Sequence, residues 1–78
     1  GARFVLIKRT DSTGNWQCFD TARGMTTLVD PVLNLNTTSA ETATLGACTS
    51  VTTGFAVNEA ILAGVNTSGG TFIYLSVA

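Results

Sequence analysis

The stretch F4-V-L-I-K-R-T-D-S-T-G-N-W-Q-C-F-D-T21 decides the fold. Phe4 to Arg9 alternates Phe4, Leu6 and Lys8 on one face with Val5, Ile7 and Arg9 on the other, so both faces begin apolar and end charged. Residues 10–15, T-D-S-T-G-N, are turn formers, and Gly14 and Asn15 tolerate positive φ. The chain then re-enters on Trp16, with Trp16 and Cys18 on one face and Gln17 and Phe19 on the other. Two short alternating runs across a polar corner predict an antiparallel hairpin with a loop of about four to six residues.

Further along, no amphipathic helical period is sustained. Residues 22–30 carry no clean repeat and predict a connecting loop ended by Pro31, which has no ladder donor. Val32 to Asn36 alternates and predicts a third strand that buries Leu33 and Leu35. Residues 37–47 suit either one helical turn capped by Ser39 or a loop. V51-T-T-G-F-A-V-N58 predicts a strand bent at Gly54, and N66-T-S-G-G70 a turn into a last strand, T71-F-I-Y-L-S-V-A78. Recurrent short strands between turns predict an all-β fold: a small antiparallel β-sandwich, jelly-roll-like, completed by neighbouring copies or domains.

Size and composition bound the function. A chain of 78 residues holds one domain at most, because about 60% of its unfolded surface is buried on folding. It opens on Gly1, which suits a module taken from a longer polypeptide. Charged residues are only 12%, well under the usual share of about 25%, so the polar surface falls to Thr, Ser, Asn and Gly. Net charge is −1 and the only cations are Arg3, Lys8, Arg9 and Arg23, which excludes the basic footprint of a nucleic-acid binder. No apolar run approaches the length of about 18 residues that spans a bilayer, so no membrane partner is expected.

The chemistry of the side chains excludes more than it offers. With no histidine, Ser-His-Asp and Cys-His sites are impossible. The carboxylates Asp11, Asp20, Asp30, Glu41 and Glu59 each sit in or beside an expected turn, where capping and solvation are their ordinary roles, so no enzyme and no cofactor are expected. Asp11, Ser12, Thr13 and Asn15 gather oxygens in one loop, but without the alternating acids of a calcium loop they predict a turn and no metal. Cys18 and Cys48 are open to two readings, a disulfide in an oxidising compartment or two buried thiols. Trp16 with Asp11, Asn15 and Asn66 is a candidate glycan-binding set, since an exposed ring beside short polar side chains suits a sugar; core packing is the ordinary role of such a ring.

The first and last strands raise a separate question. An antiparallel sheet normally turns one face to water, yet Phe4–Arg9 and Phe72–Val77 are apolar on both. Val5, Ile7, Ile73, Leu75 and Val77 are therefore the candidate interface, an apolar patch in need of a cover. The alternative is that both strands are central in a closed barrel.

Taken in order, F4-V-L-I-K-R-T-D-S-T-G-N-W-Q-C-F-D-T-A-R-G24, L33-N-L-N-T-T-S-A-E41, G54-F-A-V-N58 and N66-T-S-G-G-T-F-I-Y-L-S-V-A78 resemble a repeated domain of tail-fibre and other virion structural proteins of tailed bacteriophages, many of them marine. The resemblance implies a structural β-sandwich module in the virion. Its implied partners are other copies of itself or neighbouring virion proteins, with a host-surface glycan as the alternative ligand and capsid decoration as an alternative role. Relatives carry a glycine-rich strand upstream and often a proline before the apolar strand. This chain begins after both, which implies either a domain missing a strand or one that borrows a strand from a neighbour.

Overall fold

The computed structural model of the chain describes residues 1–25, 30–44, 47–58 and 67–78. These form β1 (Phe4–Arg9), β2 (Gln17–Asp20), β3 (Asp30–Asn34), β4 (Thr42–Thr44), β5 (Cys48–Val51), β6 (Gly54–Val57) and β7 (Phe72–Val77). The fold is all-β, as the sequence predicts. A five-stranded antiparallel sheet runs β4-β3-β2-β1-β7, and β5 and β6 make a second, two-stranded sheet.

The opening hairpin forms as its alternation requires, with Val5 opposite Phe19 and Leu6 opposite Cys18. Its connection runs over residues 10–16, slightly longer than the turn signal suggests. From β2 the chain meanders outward to β4, and β7 returns to lie beside β1 with Phe4 opposite Val77 and Arg9 opposite Phe72. Thr67 to Gly70 supplies the corner before β7: the Gly70 amide donates to the Thr67 carbonyl at 2.9 Å, and Gly69 at φ +79° takes the left-handed position that a side chain resists.

One face of the large sheet is the core. Val5, Ile7 and Phe19 share it through the β1–β2 register, Val32 joins them because β3 pairs with β2 as Cys18 opposite Leu33, and Ala2, Met25, Ala47 and Cys48 complete the buried cluster. The β5–β6 hairpin covers this side, with Phe55, Val57 and the β7 residue Phe72 packed against the cluster. Removing Phe19 and Val5 wholly from water stabilises the fold by about 1.5–3 kcal/mol each. We call this the inner face and its reverse the outer face.

Four local expectations are corrected. The third strand starts at Asp30 and includes Pro31, which is tolerated because the ladder to β2 is confined to Gln17–Asn34 and Cys18–Leu33. Val32 is its buried apolar residue and Leu35 is exposed, because alternation in register with Phe19 puts Val32 on the inner face. Residues 42–44 form β4 rather than a helical turn, held by pairing to β3 and by the Thr44 hydroxyl, which donates to the Asp30 carbonyl at 2.6 Å. Cys48 to Val57 is a hairpin turning at Thr52 and Thr53 rather than one bent strand, with Val51 opposite Gly54.

Candidate interaction surface

Among the described residues, the strand order leaves β7 at one edge of the five-stranded sheet, with β1 as its strand neighbour. Its side chains include no charge, and Ile73, Tyr74, Leu75 and Val77 are 51, 66, 56 and 46% exposed. Natural edges are ordinarily blunted by lysine, proline or a bulge, and β7 carries neither lysine nor proline.

The register decides which apolar residues share this surface. Lys8 lies opposite Ile73, Leu6 opposite Leu75 and Phe4 opposite Val77, so all six project from the outer face. Val5 and Ile7 lie opposite Ser76 and Tyr74 and project inward. This corrects the candidate interface: Val5 and Ile7 are 0 and 3% exposed in the chain's own core, while Ile73, Leu75 and Val77 are open. Half-buried Phe4 and Leu6 are the residues of β1 that join the patch, and strand alternation alone could not choose between the two sets.

Across the outer face, Cys18 is covered by the Arg23 side chain. The Arg23 guanidinium donates to Asp20 Oδ2 at 2.6 Å, Glu41 Oε1 at 3.1 Å and the Cys18 carbonyl at 2.9 Å, and the Arg23 amide donates to Asp20 Oδ1 at 2.7 Å. Burial works against the Asp20 carboxylate, but the hydrogen bonds from Arg23 outweigh it and hold its pKa below the ordinary value. Both carboxylates are thereby tied to a structural cation.

Cys18 and Cys48 are free, buried thiols, the second of the two readings that the sequence left open. Cys18 stands on the outer face opposite Leu6, whereas Cys48 lies in the inner cluster with its Sγ 3.6 Å from Met25 Sδ. The sheet separates them. Burial raises both thiol pKa values, that of Cys48 to about 12.

The candidate glycan set is divided. Asp11 is tied to the sheet edge: it accepts from Arg9 Nε at 2.7 Å and from the Thr71 amide at 3.1 Å. The Arg9 hydrogen bond leads in lowering the Asp11 pKa to about 2. Asn15 and Trp16 instead meet Asn36, whose side chain accepts from the Trp16 amide at 2.9 Å and donates to Asn15 Oδ1 at 3.0 Å. Trp16 is 39% exposed there. Asn36 carries no local sequence signal for this role, because its contact joins two loops far apart in the chain. Asn66 and Glu59 lie outside the described residues. Asp30 is fully buried, and its Oδ2 accepts from the Cys48 amide at 3.4 Å.

The surface is thus an apolar, neutral, open edge strand beside carboxylates already engaged by arginines and backbone amides. The chain belongs to the DUF7483 family. The model of that family, described as a domain of unknown function, matches residues 2–78. No curated protein and no solved structure matches the chain.

Proposed function

We propose that this domain is a non-enzymatic structural module of a bacteriophage virion, part of a tail fibre, and that it self-associates through its apolar strand surface. The observation that carries the self-association is the outer-face stripe of Ile73, Leu75 and Val77, open to solvent on an edge strand and continued by Phe4 and Leu6. Its setting in the virion rests on the resemblance of the chain to tail-fibre repeats. The hydroxyl-rich turns at Thr10–Thr13 and Thr52–Thr53 supply polar surface elsewhere on the domain.

Light scattering over a range of concentration tests the association. The expected mass rises above the 8.1 kDa of one chain, and a single-chain mass at every concentration overturns the reading. An antibody raised against the domain is expected to label the tail fibres of intact particles. Labelling confined to the head would move the module to capsid decoration.

Trp16 favours a second reading, a lectin-like module gripping a host glycan, because its exposed ring stands beside the joined amides of Asn15 and Asn36. Saccharide-dependent quenching of its fluorescence, lost in Asn36→Ala, would support that reading.

A further inference from the structure

We infer that the edge of β7 left open among the described residues pairs antiparallel with β7 of a second copy about a two-fold axis through Tyr74, in the register Tyr74–Tyr74, Phe72–Ser76 and Ile73–Leu75. The inference rests on the self-association proposed above and specifies its geometry.

The backbone selects the register. The carbonyls of Thr71 and Val77 point towards β1, accepting from the Thr10 and Arg3 amides at 2.8 and 2.7 Å. Alternation along an antiparallel strand therefore turns the N–H and C=O of Phe72, Tyr74 and Ser76 away from β1, onto the open edge. A two-fold placed at Tyr74 makes Tyr74–Tyr74 and both Phe72–Ser76 matches hydrogen-bonded pairs, so every one of these outward groups finds a partner. A shift by two residues sets Ser76 against Gly70, whose amide already donates to Thr67, or Phe72 against Ala78, whose carbonyl already accepts from Arg3. A shift by one places inward-facing groups against outward-facing ones.

The side chains agree with that register. On the outer face Ile73 of each copy meets Leu75 of the other in a closely spaced pair, and Val77 meets Thr71, extending the apolar stripe across both sheets. On the inner face Tyr74, edge-on to Phe55 at a centroid distance of 5.1 Å, meets the Tyr74 of the second copy and makes a row of rings across the axis. Charge favours the antiparallel sense. Arg3 stands at the C-terminal end of β7, donating to the Ala78 carbonyl at 2.7 Å, and a parallel arrangement would set two Arg3 side chains together.

The size of the contact sets its strength. The exposed parts of Ile73, Tyr74, Leu75 and Val77 amount to roughly 900 Å² for two copies, below the range of about 1,200–2,000 Å² of stable specific interfaces. A pair of isolated domains is therefore reversible, with Kd of ~10 µM to 1 mM, and copies held on a common fibre gain from effective concentration.

Sedimentation of the 78-residue chain with two variants tests the register. Ile73→Lys and Leu75→Glu each replace an exposed side chain, and circular dichroism checks that each remains folded. Alone, each variant is expected to weaken association by roughly tenfold or more. Mixed, the introduced lysine of one copy faces the introduced glutamate of the other, and association returns to within about threefold of the parent. Association weakened by each variant and not rescued by mixing overturns this register. Association unaffected by either variant overturns pairing through β7 while leaving self-association in place. A parent chain that stays monomeric to millimolar concentration overturns both.

Discussion

Replacing Val5 and Leu75 separately with alanine tests the division of the sheet into a filled and an open face. Val5 is wholly buried among Ile7, Phe19 and Val32, so Val5→Ala loses two methylene equivalents at about 0.8 kcal/mol each. A residual void of ~40 Å³ adds about 1 kcal/mol, for a total near 2.5 kcal/mol. Leu75→Ala removes one methylene equivalent more, but at 56% exposure it forfeits only about 1 kcal/mol and leaves no void. Urea unfolding followed by Trp16 fluorescence at a few micromolar reads the difference without a contribution from association. In thermal unfolding the same difference lowers Tm by about 10–20 °C for Val5→Ala and about 4–8 °C for Leu75→Ala. Equal losses from the two variants, or a loss under about 1 kcal/mol for Val5→Ala, would refute the assignment of faces.

Other expectations follow from named contacts. Asp11 has a folded pKa of about 2 against an ordinary 3.8, so its contribution to stability is complete above about pH 4 and lost as pH falls through 2. Asp11→Asn should flatten that part of the acid-unfolding curve, and carboxyl NMR should place the Asp11 midpoint near 2. Cys48, with its thiol raised to about 12 by burial, should resist a thiol reagent at about pH 8 in the folded protein. Denaturant without reductant should release both thiols, whereas a bridged pair would release none. Gly69→Ala meets nothing within 4 Å but must hold φ +79°, so it should cost about 1 kcal/mol in unfolding free energy while leaving the denaturant dependence unchanged.

Much of the architecture was legible because it rests on local pattern. The β1–β2 hairpin follows from alternation around a cluster of turn residues, and the last strand follows from the glycines before it. What failed was short or dependent on a distant partner. Residues 42–44 are too few to display a period, and their strand exists because β3 offers an edge. Val51 to Asn58 reads as one bent strand, and Cys48–Ser50 goes unread, because the threonine turn at 52–53 lacks the glycine and asparagine that ordinarily announce a hairpin. The Asn15–Trp16–Asn36 cluster depends on the tertiary approach of two loops.

By itself the sequence determined that the chain is β-rich, that histidine-based catalysis is absent from its repertoire, and that its first and last strands need cover on both faces. It left open which face the domain would fill from within. Val5 and Ile7 are as apolar as Phe4 and Leu6, and alternation specifies the two sets while remaining symmetric between them. Only the tertiary structure broke that symmetry. The β5–β6 hairpin packs on the Val5 side, and pairing of β7 with β1 places Ile73, Leu75 and Val77 beside Leu6 and Phe4, because cross-strand register commits every side chain along a strand together.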